Sequence, residues 1–226
     1  MNMTIEPTRI IHCEDAIKWL QDSKILEGCS LVASMPDISE FHGFTLQEWK
    51  QWFVDTAKLI MSKTPADGVT IFYQTDIKVN GEWIDKGYLC QRAAEDLGHK
   101  LLWHKIICRI KPGKISFGRP AYSHIVCFSQ NHRLNDLSKS TADIIPEIGD
   151  KTWERGMGLE ACLMIGKFIA EQTPTKTLVH PFCGQGSMVA VANALGLSSI
   201  GIERSFKRAE MARHLAINPE WRKFLK

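Results

Sequence analysis

Three groups of residues in this chain could do chemistry. The tetrapeptide SMPD at 34–37 follows the apolar run CSLVA. Its Ser34 can accept a hydrogen bond and Asp37 can accept a proton. Later, HPFCGQGS at 180–187 joins an apolar run to a helix-like one. Gly184 and Gly186 let the backbone turn sharply and come close to a ligand. The helix after them would turn free N–H groups and a positive dipole end toward a carboxylate or phosphate. Glu203 ends the next apolar run, SSIGIE, where a carboxylate can take the hydroxyls of a ribose. The third group is the span 99–133, which holds seven Lys or Arg and no Asp or Glu. Trp103, Phe117, Tyr122 and Phe128 lie among those cations, and such a mixture can hold phosphates and stack bases. Lys111, Lys114 and Arg119 fall in its loop KPGKISFGRP.

Elements that could position these groups alternate along the chain. Strand chemistry is read at 8–12, 29–34, 68–75, 100–110, 122–130, 175–180 and 198–203. Helical periods fall at 14–23, 45–63, 83–98 and 158–172, and after each of the last two strands. Thr45 and Glu48 form a capping box at the start of the second helix. The segment 136–152 reads as loop. This alternation predicts an α/β fold, a mostly parallel sheet with helices on both faces. The strands at 100–110 and 122–130 have no helix between them, so they form an antiparallel hairpin at one edge.

The segment HPFCGQGSMVAVANALGLSSIGIERSFKRAEMAR resembles the S-adenosylmethionine-binding segment of the amino-methyltransferases, which methylate exocyclic amines of adenine or cytosine. That segment commonly reads D-P-F-x-G-x-G-T, followed by G-x-E. SMPD stands in the place of the family's catalytic tetrapeptide, usually (D/N/S)-P-P-(Y/F/W). The order of the pieces is similar to the circularly permuted branch, in which the catalytic strands come first. The resemblance covers nearly the whole chain. It implies a Rossmann-like methyltransferase fold with a seven-stranded sheet, in which the strand at 8–12 lies beside the strand ending at Glu203. It further implies a cofactor site of Asp15, Pro181, Phe182, Gly184, Gly186, Ser187 and Glu203, and an acceptor site of Ser34, Pro36 and Asp37. Met35 and Asp37 depart from the tetrapeptide's first proline and its aromatic; His180 and Ser187 depart from the usual Asp and Thr.

The expected organisation is one domain over 1–226, with a catalytic half at 8–135, a loop at 136–157 and a cofactor half at 158–226. The cysteines are scattered, with no C-x-x-C pair, which argues against disulfides and zinc and fits a reducing cytoplasm. Nothing in the sequence suggests a metal, a signal peptide or a membrane span. The expected partner is nucleic acid, through Lys111, Lys114 and Arg119. RNA is favoured over DNA because the loops at 110–121 and 131–157 are short for reading a duplex groove. DNA, a small molecule or a protein as acceptor, and an inactive cofactor-binding subunit, are the alternatives.

Overall fold

The computed structural model describes residues 6–217; the remainder of the expected 1–226 span lies outside the described residues. In chain order the first half contains β1 (Arg9–His12), α1 (Ala16–Asp22), β2 (Cys29–Ala33), α2 (Leu46–Lys63), β3 (Thr70–Gln74), β4 (Ile77–Val79), β5 (Glu82–Ile84) and α3 (Lys86–Asp96). There follow β6 (Lys100–Cys108), β7 (Tyr122–Ser129), β8 (Ile144–Ile145), α4 (Leu159–Gln172), β9 (Thr177–His180), α5 (Ser187–Ala194), β10 (Ser198–Ile202) and α6 (Phe206–His214). The main sheet runs β1-β10-β9-β2-β3-β7-β6-β8. Only β7 runs against its neighbours, pairing antiparallel with both β3 and β6.

Side chains alternate across this sheet as period-2 strands require. Leu31, Phe72 and Phe128 face a core built with Trp49, Phe53 and Ile60 of α2 and Ala93 of α3. Val32, Ile71 and Ile125 face the opposite core, built with Cys162, Ile165 and Ile169 of α4 and Val191 of α5. Cys127 and Cys162 are buried and unbridged, small apolar fillers of that second core. The Thr45 capping box is formed: the Thr45 amide donates to Glu48 Oε2 at 2.8 Å, and the Glu48 amide donates to Thr45 Oγ1 at 3.2 Å.

The first strand lies against the last, as the sequence implies. β1 pairs parallel with β10 from Arg9–Ser199 to His12–Ile202. Arg9 strengthens the junction, donating to Asn193 Oδ1 at 2.6 Å and to the Leu215 carbonyl at 2.6 Å.

Two local expectations differ from the fold. The span 136–157 is not all loop: it contains β8, an eighth strand beyond the seven expected, which pairs with β6. Two residues are too few for periodicity to reveal. Lys105 fixes them by donating to the carbonyls of Thr141 and Ala142, each at 3.0 Å, and to Asp143 at 2.9 Å. The span 83–98 is not one helix, because residues 82–84 form a hairpin with 77–79. Asn80 and Gly81, with φ of 51° and 84°, make the turn, and Asn-Gly is the residue pair that such hairpins favour. Asp85 then caps α3 by accepting from the Tyr88 amide at 2.8 Å.

The strand order places a site. β1, β10, β9, β2 and β3 all end on the same edge of the sheet. The chain leaves β9 toward β10 on one side and β2 toward β3 on the other, with α5 and α2 on opposite faces. Ligands of open α/β sheets bind in the crevice outside strand ends where the order reverses in this way. No described helix is long and apolar enough to cross a membrane.

Candidate functional site

A crevice of about 320 Å³ opens at this edge. Asp15, Ser34, Pro36, Asp37, Pro181, Phe182, Gly184, Ser187 and Glu203 all line it, Ser187 from the first turn of α5 and the others from the loop or turn that follows a parallel strand. Residues separated by most of the chain thus share one cavity. Gly186 is not on its wall, and of the three predicted nucleic-acid-binding cations only Arg119 is. Lys111 and Lys114 are exposed on the loop between β6 and β7.

On the β9 side, Gly184 has φ of 56°, and a Cβ there would come within 2.9 Å of the Trp153 ring. Gly186 has φ of 90° and caps α5; its Cβ would meet the Ala212 backbone of α6 at 2.8 Å. Gly184 therefore brings the turn against the crevice, whereas Gly186 lets α6 pack against α5. Ser187 is buried and shares a 2.5 Å hydrogen bond with Thr152. Glu203 Oε1 accepts from the Ser205 amide at 2.8 Å and from Arg208 at 3.0 and 3.1 Å. Its Oε2 has no partner among the described residues, so one carboxylate oxygen, not two, is open to a ligand. Asp15 caps α1 by accepting from the Lys18 amide at 3.0 Å through Oδ1. That is a structural task, and the residue also lines the crevice.

His180 is the unusual group on this wall. It is 3% exposed, and neither ring nitrogen has a partner among the described residues. Burial pulls its imidazole down to about 4. Buried polar atoms without partners are rare, and here they hold the ring neutral. An open carboxylate oxygen on Glu203 and a turn made close by Gly184 fit a ligand carrying hydroxyl groups. A consequence for stability follows. The unfolded imidazole titrates near ~6.5, so between about pH 4 and 6.5 the unfolded chain binds the extra proton. Stability from this residue is complete above that window and falls by about 3 kcal/mol as pH drops through it. Urea unfolding of wild type and His180→Asn across this range should diverge at neutral pH and converge toward pH 4. Curves that stay parallel would show that His180 is not held neutral.

On the β2 side, Met35 lines the crevice with Ser34, Pro36 and Asp37, but it is buried and packs into the core while the other three are partly exposed. Asp37 begins a short 3-10 turn over Ile38–Glu40, and Oδ1 accepts from Lys86 Nζ. Sequence reasoning missed Lys86, since a lysine at the start of an amphipathic helix normally reaches water. Here its side chain is 3% exposed and lies 5.8 Å from the Trp49 ring centre. The Lys86 amide donates to Asp76 Oδ1 at 2.8 Å. Asp76 Oδ2 accepts from Trp83 Nε1 at 2.9 Å and is 2.9 Å from His124 Nε2, while His124 Nδ1 is 2.8 Å from His104 Nε2. Burial alone would raise the Asp76 carboxyl, but its bonds to His124, Trp83 and the Lys86 amide, with the charge of His124, together outweigh burial and hold it low. Asp76 thus fixes the backbone from which Lys86 reaches Asp37.

The connecting segment 146–157 closes the crevice from above. Trp153 lies over Gly184 and 5.8 Å from the Arg208 guanidinium. Arg155 pairs with Glu40 at 3.7 Å, joining the two walls. An aromatic in a segment otherwise rich in turn residues was the available signal for Trp153. Arg109, Arg119 and Lys151 line the mouth together. Neither arginine side chain has a partner among the described residues. Burial first, then these two arginines, push the Lys151 ammonium down, as expected for a cation held among cations.

No protein-family model matches the sequence, and no curated protein matches it. Solved structures do match. The chain is similar to TTHA0409 of Thermus thermophilus, described as a candidate DNA modification methylase. In its S-adenosyl-L-methionine complex the identity is 18%, with 91% of each chain covered and a TM-score of 0.67. It is similar to the cytosine-N4-specific PvuII DNA methyltransferase at 17% identity, covering 99% of this chain and 94% of that one, with a TM-score of 0.67. It is similar to M1.HpyAVI in complex with SAM at 14% identity, covering 91% of this chain and 98% of that one, with a TM-score of 0.61. The fold is therefore the α/β methyltransferase fold.

Proposed function

We propose that this chain transfers the methyl group of S-adenosylmethionine to an exocyclic amine of a base in DNA. The observation that carries this reading is the single crevice in which the Gly184 turn and Glu203 face Ser34, Pro36 and Asp37. Two of the similar structures are complexes with S-adenosylmethionine, which supports the choice of cofactor. When bound, that cofactor supplies an electrophilic methyl group. The chain's own work is to hold donor and acceptor in line and free of water. Glu203 Oε2 and Asp15 would take the polar groups of the nucleoside end, and the turn at 181–184 would hold the amino-acid end. Ser34 and Asp37 would orient the acceptor amine, while Trp153 and the Arg155–Glu40 pair limit access of water.

We read the chain as one unit in the circularly permuted order. Residues 8–135 supply the acceptor side and 158–217 the cofactor side, with Asp15 crossing over because β1 sits beside β10. DNA replaces RNA as the first choice. The argument for RNA was that the loops at 110–121 and 131–157 are too short to form a large insert that reads a duplex groove. This chain covers 94% of the PvuII DNA methyltransferase, so a protein of that name and fold leaves little room for such an insert either. The cations at the mouth speak against a small neutral acceptor.

Calorimetry should show S-adenosylmethionine and its demethylated product binding in the micromolar range, about −8 kcal/mol. Glu203→Ala should weaken both by about 1–3 kcal/mol, through loss of charge-assisted bonds to the ribose. Transfer of labelled methyl to DNA, RNA and metabolite extracts then identifies the acceptor. A folded wild type that binds neither compound would end the methyltransferase reading; label entering RNA alone would restore the RNA assignment.

A further inference from the structure

Of the four aromatics among the cations of 99–133, the fold spends three on packing. Phe128 is fully buried, Trp103 meets Phe168 edge-on at 5.1 Å, and Tyr122 meets His124 edge-on at 5.3 Å. Phe117 is 90% exposed, at the tip of the loop between β6 and β7. Its neighbour Ile115 is 79% exposed. Hydrophobic side chains this bare, on a loop that also exposes Lys111, Lys114 and Arg119, suit a partner that is anionic outside and flat and apolar inside. Stacked bases between phosphates meet both conditions; a lipid surface or an acidic protein meets only part of them.

The loop's position adds a second argument. Arg119 lines the mouth of the crevice with Arg109 and Lys151, and Phe117 stands two residues before it. Two residues span at most about 7 Å, roughly two steps of a base stack. A base must leave the stack to enter a crevice of this kind, and its exit leaves a gap between its former neighbours. Apolar side chains are able to enter such steps.

We propose that Phe117 is a stacking wedge that fills the gap beside a nucleotide drawn into the crevice, with Lys111, Lys114 and Arg119 on the flanking phosphates. The inference rests on the DNA reading above, and its test reads the loop separately from the cofactor site.

Fluorescence anisotropy with two labelled duplexes of one sequence, one intact and one carrying a single abasic site, provides the test. The wild type should prefer the abasic duplex, in which the gap already exists. Phe117→Ala should lose that preference and bind the abasic duplex about 5- to 150-fold more weakly, the range for loss of one stacking contact. Phe117→Trp should keep the preference, and Phe117→Leu should recover only part of it. Replacing Lys111, Lys114 and Arg119 together by Ala should instead reduce the salt slope by about 2–3 units and leave the preference. Equal binding by wild type and Phe117→Ala would overturn the proposal. So would full recovery by Leu, or a dimer in sedimentation that Phe117→Ala abolishes. Because cofactor affinity is measured apart by calorimetry, a failed wedge with intact cofactor binding would leave the methyltransferase reading standing.

Discussion

Asp37→Asn is expected to lower the methyl-transfer rate by about 10²–10⁴-fold, the range for losing general acid–base help. The substitution keeps the shape of the side chain and an oxygen that can still accept from Lys86. It removes the negative charge and the ability to take a proton from the acceptor amine. One carboxylate oxygen is held by Lys86, whose side chain is 3% exposed, and the carboxylate also caps the turn over Ile38–Glu40, at the crevice wall where an acceptor would lie. A buried ammonium that loses its counter-charge also destabilises the fold. The measurement therefore needs a melting curve and a cofactor titration beside single-turnover kinetics. Adding Lys86→Met to Asp37→Asn should recover stability and leave the rate low. Asp37→Tyr, which restores the aromatic seen in the amino-methyltransferase tetrapeptide, should not recover activity. Wild-type turnover by Asp37→Asn would reduce Asp37 to the first residue of a turn. Full activity in Asp37→Tyr would show that stacking on the base operates here after all.

The second large effect is on folding. Gly186→Ala should destabilise the protein by about 2–6 kcal/mol. Backbone at φ of 90° is strained for any residue with a Cβ, at about 1–3 kcal/mol, and crowding in a packed interior adds a similar amount. The atom it would strike, 2.8 Å away, is Ala212 Cα, a backbone atom of α6 that cannot rotate aside. Gly184→Ala meets only the edge of the Trp153 ring, and φ of 56° is a milder position. Its effect should fall more on cofactor affinity than on stability. Denaturant midpoints and calorimetry on the two variants separate the two roles. If Gly186→Ala unfolds like wild type and binds cofactor poorly, the assignment of Gly186 to helix packing is wrong.

The strand-ending groups were legible because each follows a short apolar run and carries residues that a turn or an anion site selects. Gly184, Glu203, Ser34 and Asp37 could be placed together because the resemblance to the amino-methyltransferases supplies their roles. The inward turn of Lys86 and the unpartnered burial of His180 could not be read. Nothing local distinguishes a lysine that turns inward to meet a carboxylate 49 residues away from one that reaches solvent. The same holds for a histidine whose nitrogens are buried without partners. Gly186 was legible as a glycine that must be glycine, but the reason lay in α6, beyond any local pattern. The β4–β5 hairpin was signalled by Asn80–Gly81 and overlooked beside the stronger helical period that follows it. The two-residue β8 has no periodicity to show.

The seam between β1 and β10 also governs when this protein can become functional during its synthesis. Thr8 and Ser198, hydrogen-bonded at 3.1 Å, are 190 residues apart. Closing a loop of that length carries an entropy cost of about 5 kcal/mol, and contacts so distant in sequence slow folding. Asp15 can be placed beside Glu203 only after the chain has been translated past Ile202. A nascent chain on the ribosome that holds only the acceptor side should therefore have no cofactor affinity. Binding should appear abruptly, once the last strand has emerged, rather than grow with chain length.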